Sequence, residues 1–178
     1  YDIAIRSYDR AIAIRSDDPS LWSSKGSACL KIRRYDEAIT SFEKALELAP
    51  ESSHAWAGKG AAFAAQLKYE DSLASFEQAL MLDPDNASVW HQKGKALQAL
   101  HRNNEAAEAF AKSVALEPEN PSGWKNRGAA LSAAGRFSDA LETYDHILAL
   151  EPDNVDALLQ KGTILCNLGQ AAEAALIF

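Results

Sequence analysis

The four histidines, His54, His91, His101 and His146, are the residues of this sequence best suited to metal binding or proton transfer. None of them pairs with another histidine, a cysteine or a carboxylate at a spacing typical of metal ligands. The sequence also lacks the G-x-S-x-G, P-loop and dinucleotide-binding glycine patterns. We therefore predict no catalytic residue, no metal site and no cofactor, and we expect a protein that is not an enzyme.

The charge balance argues against nucleic acid as a partner. The formal net charge is −7, whereas nucleic-acid binding needs a concentrated basic surface. No apolar run approaches the length of a membrane span, so we expect no membrane partner. The two cysteines, Cys29 and Cys166, fit a reducing compartment, and Cys29 falls on an apolar helix face. We expect a cytoplasmic protein.

The sequence contains a repeat with a period of 34 residues. Three residue types recur in register, as Trp22, Trp56, Trp90 and Trp124, then Gly26, Gly60, Gly94, Gly128 and Gly162, then Pro50, Pro84, Pro118 and Pro152. A fixed period in the range of 20–50 residues is typical of a solenoid.

Each period predicts two helices. Trp22, Gly26 and Cys29 are spaced by four and three residues, which places them on one face of a first helix. A second helix begins near Tyr35 and stops before Pro50, because proline cannot continue it. The links between repeats contain Ser, Asp and Asn, which can cap the following helix. Two such helices form an αα-hairpin that buries its apolar faces only by stacking on its neighbours.

The pattern W-x2-K-G-x2-C/F/L, then A-x3-F/Y, then P resembles the tetratricopeptide repeat (TPR). The A-x3-F/Y step occurs as Ala38/Phe42, Ser72/Phe76, Ala106/Phe110, Ala140/Tyr144 and Ala174/Phe178. One departure is the Lys or Arg before each glycine, where the family usually has Leu. The resemblance implies an all-α fold, a right-handed superhelix of antiparallel helix pairs.

We expect one solenoid domain over residues 1–178. It comprises a half repeat at 1–18, full repeats at 19–52, 53–86, 87–120 and 121–154, and a partial repeat at 155–178. Neither end reads as a polar capping repeat, so we expect a fragment of a longer array. Its exposed terminal helices could self-associate with other copies.

The tryptophans and the first four recurring glycines are predicted to form a packing stripe in the core: Trp22, Trp56, Trp90 and Trp124 with Gly26, Gly60, Gly94 and Gly128. The basic residue before each glycine is expected to pair with a carboxylate on a neighbouring second helix, such as Asp83 or Glu117. We assign these pairs to repeat stacking, where an exposed pair contributes about 0–1 kcal/mol.

The resemblance also implies a concave groove in which the first helices bind a protein or peptide partner. The face opposite the packing stripe, read in steps of three and four residues, supplies the candidate groove residues. These are Ser23, Ser27, His54, Ala57, Ala61, His91, Lys95, Gln98, Lys125 and Ser132. We call this set the first-helix face.

The first-helix face carries no Asp or Glu, although the chain is acidic. One hypothesis is a partner whose acidic group lies near Lys95 and Lys125 and whose apolar group lies near Ala57 and Ala61. The alternative is an ordinary face with solvated lysines. The Lys–Asn pair of the chaperone-binding TPR subclass is absent, since Ser23 and Ser27, or Lys125 and Ala129, stand in its place.

Three functions remain open at this stage. The leading one is a non-catalytic module that binds a peptide or a partner segment in the groove. The second is an assembly scaffold that joins copies through open edges, because such head-to-tail contacts need not close. The third is a regulatory segment of a larger enzyme.

Overall fold

The computed structural model describes residues 1–175, with the backbone alone at residues 171 and 172. Within this range the chain forms helices and no strand. The helices are α1 (Asp2–Ile14), α2 (Pro19–Lys31), α3 (Tyr35–Leu48), α4 (Ser53–Ala65), α5 (Tyr69–Leu82), α6 (Ala87–Ala99), α7 (Asn103–Leu116), α8 (Pro121–Ala133), α9 (Phe137–Leu150), α10 (Val155–Asn167) and α11 (Ala171–Ala174). The prediction of an all-α fold is confirmed.

The helices group into two compact units, Tyr1–Ala96 and a second that begins at Leu97, within α6. The expectation of one domain over residues 1–178 stays a prediction. Phe178, the aromatic residue of the last A-x3-F/Y step, lies outside the described residues.

In the first unit, the aromatic rings of the second helices pack directly against glycines of the first helices. A Cβ atom added to Gly26 of α2 would lie 3.0 Å from the Phe42 ring of α3. At Gly60 of α4 the same atom would lie 2.6 Å from the Phe76 ring of α5. Both rings are fully buried. Close packing between the helices therefore leaves no room for a side chain at Gly60 and very little at Gly26.

The second unit repeats this packing with a tyrosine. Tyr144 of α9 is buried against α8, and a Cβ atom on Gly128 would lie 2.8 Å from its ring. Burial raises the pKa of the Tyr144 phenol, and a hydrogen bond with Ser132 opposes that shift. Val114 of α7 packs against Gly123 of α8 in the same way, at 2.6 Å from a hypothetical Cβ atom.

The first helices begin at side-chain caps that recur every 34 residues, as the composition of the links predicts. The Ser52 hydroxyl accepts a hydrogen bond from the Ala55 amide at 3.3 Å, and the Asn154 side chain accepts one from the Ala157 amide at 3.0 Å. The equivalent caps are Asp18, Asn86 and Asn120. These side chains satisfy backbone donors that a helix start leaves without partners.

The first helices end in a left-handed residue, which the sequence analysis did not identify. Arg33 follows α2 with φ of +65°, and the Arg34 amide donates to the Cys29 carbonyl at 2.9 Å. This is the Schellman arrangement, in which a residue with positive φ satisfies the last carbonyls of a helix. The same position recurs at Leu67, His101, Gly135 and Gly169.

Each tryptophan is half-buried and is fixed by its indole N–H group. Trp22 donates to the Ser16 carbonyl at 2.9 Å, and Trp56 donates to the Pro50 carbonyl at 2.9 Å. Trp90 and Trp124 make the equivalent bond to the carbonyls of Pro84 and Pro118. Since the acceptor is a backbone carbonyl, Ser16 serves as well as proline at this position.

The lysines before the glycines pair with the preceding second helix, but not with the expected residues. Lys25 contacts Asp9 at 2.6 Å, Lys59 contacts Glu43 at 2.9 Å and Lys93 contacts Glu77 at 3.0 Å. Lys161 pairs with Asp145 in the second unit. The prediction of Asp83 and Glu117 was wrong, because both residues lie past the helix end, where they cap α5 and α7.

Candidate functional site

In the first unit, the first-helix face brings Ser27 of α2 beside His54 of α4. The Ser27 hydroxyl oxygen lies 3.5 Å from His54 Nε2. His54 is exposed and Ser27 is half-buried, whereas Ser23 is only 8% exposed and offers little surface to a partner. The N-terminal cap of α4 and the preceding link place His54 at this position.

The remaining first-unit members of the face differ in accessibility. Ala57 and Ala61 of α4 are half-buried, as is His91 of α6. Lys95 is exposed, and none of the ion pairs formed by the described residues involves it. Its charge is therefore available to an anionic group.

In the second unit, Lys125 of α8 is already paired. Its ammonium group contacts the carboxylate of Asp156, which begins the face of α10. Both side chains are exposed. Gln98 and Ser132 are half-buried, and the Ser132 hydroxyl donates to the Gly128 carbonyl at 2.9 Å. Asp156 is not among the residues predicted from the sequence, and its pairing with Lys125 is a finding of the structure.

A pocket of about 300 Å³ opens beside the first-helix face of the first unit. We call it the α1–α2 pocket. It is lined by Tyr1, Ala4, Tyr8, Ser24, Ser27, Ala28, Lys31 and His54. Tyr8 and Ser24 are not among the residues predicted from the sequence, since Tyr8 belongs to the preceding second helix and its approach to α2 depends on packing. Lys31 is also not among the predicted groove residues.

A smaller and mainly apolar pocket of about 180 Å³ lies between α8, α9 and α10 of the second unit. Lys125 and Asp156 line it together with Tyr144, Ile147 and Ala157. The ion pair of the two charged residues thus lies at a pocket whose other walls include buried apolar side chains.

The described residues contain no group of three or more His, Cys, Asp or Glu side chains that could hold a metal ion. Cys29 is buried, and burial raises the pKa of its thiol, which keeps it in the unreactive protonated form. Every helix of the described part falls short of the length and apolarity needed to cross a lipid bilayer.

Repeated helix pairs with glycine–aromatic packing and an open face define this chain as an αα-hairpin repeat protein. Two family models described as tetratricopeptide repeat match it, one at residues 1–53, 25–88 and 91–145, the other at residues 131–178. The chain belongs to the tetratricopeptide repeat family. Repeats of this family are generally non-catalytic modules for binding other proteins.

Solved TPR structures share the fold at low sequence identity. YrrB, a TPR protein with an unusual peptide-binding site, is 20% identical, with a TM-score of 0.86 over 96% of this chain and 88% of that one. MamA from Desulfovibrio magneticus RS-1 is 18% identical, with a TM-score of 0.79 over 90% of each chain. TTC0263, a TPR protein from Thermus thermophilus, is 20% identical, with a TM-score of 0.66 over 93% and 91%. A comparison with curated proteins finds no match.

Proposed function

We propose that this protein binds a peptide or an extended partner segment on the first-helix face of its first unit. The observation that carries the proposal is the charge of this face. Lys95 is exposed without an ion pair among the described residues, and the carboxylates that pair with Lys25, Lys59 and Lys93 belong to α1, α3 and α5. A partner carrying an acidic group at Lys95 would meet no competing carboxylate on this face.

The apolar part of the proposal rests on Ala57 and Ala61. Both are half-buried on α4, so their small side chains leave room for a larger apolar group of the partner. The likeness in fold to YrrB, which has an unusual peptide-binding site, supports the general class of function. Lys125 contributes less than the sequence suggested, because Asp156 already compensates its charge.

The test is capture of a partner from source-cell lysate by the native protein and by Lys95→Glu. The matched control is Lys112→Glu, which makes the same charge change on α7, a second helix. We expect Lys112→Glu to retain the partner and a folded Lys95→Glu to lose at least about nine-tenths of it, which corresponds to losing one charged hydrogen bond. Equal recovery by both variants would contradict the proposal.

A scaffold that assembles from copies of this chain is the second candidate. Ile3 and Ile14 of α1 are largely exposed. Burial of apolar side chains of this size in an interface between two copies favours their association. Sedimentation over a range of concentrations, with Ile3→Ser as the variant, distinguishes this function from the first. A cytoplasmic location and a role inside a larger enzyme stay predictions.

A further inference from the structure

We propose that Arg127 binds the carboxylate of an acidic side chain, Asp or Glu, of a partner protein. The site lies in the second unit, where α7 and α8 pack together. Arg127 is not one of the residues of the first-helix face, so this surface is separate from that face. The inference goes beyond the proposed function and does not depend on it.

The basic residue before the recurring glycine has a carboxylate partner in the other repeats. Lys25, Lys59 and Lys93 contact acidic residues of the preceding second helix at 2.6 Å, 2.9 Å and 3.0 Å. Lys161 makes the equivalent contact in the second unit. The packing of the two helices therefore accepts a carboxylate at one register position, 16 residues before the basic residue. That position is occupied by Asp9, Glu43, Glu77 and Asp145.

Among the described residues, Arg127 is the member of this series without such a partner. The equivalent register position on α7 is Ala111, whose methyl side chain carries no charge. None of the ion pairs formed by the described residues involves Arg127. Glu105, an acidic residue of α7, contacts Arg102 at 2.5 Å instead. The charge of Arg127 is therefore open to a carboxylate from another molecule.

The guanidinium group of Arg127 is held against an aromatic ring. Its central carbon lies 5.5 Å from the centre of the Trp124 ring, within the range of a cation–π contact. The Trp124 ring is itself fixed by the indole hydrogen bond to the Pro118 carbonyl at 2.8 Å. His146 of α9 contacts the same ring, with the two ring centres 4.1 Å apart. Because Arg127 is half-buried and stacked, it loses little further freedom when a ligand binds.

A protein carboxylate fits this site better than the phosphates of a nucleic acid. The fork of N–H donors on a guanidinium matches the two oxygens of a carboxylate. Ala111 is half-buried, and its small side chain leaves room beside Arg127 for the group that Asp or Glu supplies in the other repeats. A chain of net charge −7 repels a polyanion such as a nucleic acid. Arginine and tryptophan are also enriched among the residues that contribute most to protein interfaces.

The experiment titrates the protein at low ionic strength with a tri-glutamate peptide whose ends are blocked, and a blocked tri-glutamine peptide is the control. NMR follows the Nε–H signal of Arg127 and the indole N–H signal of Trp124. We expect saturable shifts of both signals with the tri-glutamate peptide. Binding of the tri-glutamine peptide should be at least about fivefold weaker, because it lacks the charge that forms the ion pair.

Two substitutions at one position locate the site. Ala111→Glu supplies the internal carboxylate found in the other repeats, so it should pair with Arg127 and weaken tri-glutamate binding by about fivefold. Ala111→Gln has the same size without the charge, and it should change the affinity by less than about twofold. The Trp124 indole signal reports binding in both variants, and far-ultraviolet circular dichroism verifies that both are folded.

The other outcomes overturn the inference. Equal binding of the tri-glutamine peptide would show that charge is not recognised, and an unshifted Arg127 signal would remove the site. Tri-glutamate binding by Ala111→Glu as tight as by the native protein would show that Arg127 does not hold the ligand. The backbone amide of Lys95 reports the proposed groove in the same titration. A response at Lys95 without one at Arg127 would uphold groove binding and reject this site.

Discussion

Ser72 is a fully buried residue whose hydroxyl has no hydrogen-bond partner among the described residues. It lies on α5 at the position that Ala38, Ala106 and Ala140 hold in the other repeats. Those three alanines are themselves fully buried, so the site is shaped for a methyl group. A buried polar group without a partner loses its hydration and gains nothing in return.

We predict that Ser72→Ala raises the free energy of unfolding by about 1 kcal/mol, because the substitution removes this desolvation cost. Urea denaturation followed by circular dichroism measures the change. Ser75→Ala is the matched control, since the Ser75 hydroxyl donates to the Asp71 carbonyl at 2.9 Å and its loss should not stabilise the protein. A lower stability of Ser72→Ala would show that the hydroxyl has a partner.

At the scale of one element, the end of each first helix depends on a residue with positive φ. Leu67 holds this position after α4 with φ of +62° and is 71% exposed, so its side chain contributes little packing there. A residue with a Cβ atom is disfavoured in this conformation by roughly 1–2 kcal/mol, and glycine is not. Gly135, at the same position after α8, has φ of +75°.

We predict that Leu67→Gly stabilises the protein by about 1 kcal/mol, as the relief of backbone strain exceeds the entropy that glycine adds to the unfolded chain. The reverse control, Gly135→Leu, should destabilise it by a similar amount. No atom lies within 4 Å of a Cβ placed on Gly135, so backbone conformation alone is tested there. Thermal unfolding of both variants provides the comparison, and a loss of stability in Leu67→Gly would contradict it.

The starts and the packing faces of the helices could be predicted from the sequence, because both follow from local residue types. Trp22 and Gly26 mark one face, and the cap at Ser52 marks one start. The end of α2 at Arg33 was harder to explain, since arginine carries no turn signal. Gly135 and Gly169, which stand in register with Arg33, are the signal that could have revealed the left-handed position.

The candidate site was predicted less completely, because the ion pairing of its charged residues depends on distances between helices. Helical spacing shows that Lys125 and Ser132 share a face. It does not show that Lys125 reaches Asp156, which depends on how α8 and α10 pack. Whether Tyr8 of α1 and Lys31 of α2 line the same pocket depends on helix packing in the same way.

At the scale of the whole molecule, each compact unit buries one group that can lose a proton at high pH. Cys29 in the first unit and Tyr144 in the second have ordinary pKa values of 9.0 and 10.0, and burial raises both. The folded state therefore favours their neutral, protonated forms. This stabilisation is complete below the ordinary pKa and is lost as the pH rises through the raised one.

We predict that the free energy of unfolding falls as the pH rises above about 9, once the unfolded chain begins to lose these protons. Urea denaturation between about pH 7 and pH 11 measures it. Tyr144→Phe, which removes the phenol and keeps the ring, should flatten the decline near pH 10 and above. An unchanged pH dependence in Tyr144→Phe would show that the phenol does not contribute.

The indole hydrogen bonds have a further consequence for how local opening of the chain can be observed. Trp22, Trp56, Trp90 and Trp124 each hold one side-chain proton against a backbone carbonyl of the preceding link. Such a proton exchanges with solvent deuterium only when that contact opens. Each full repeat thus contains one indole proton whose exchange rate reports local opening. The four exchange rates would rank the repeats by how readily each of them opens.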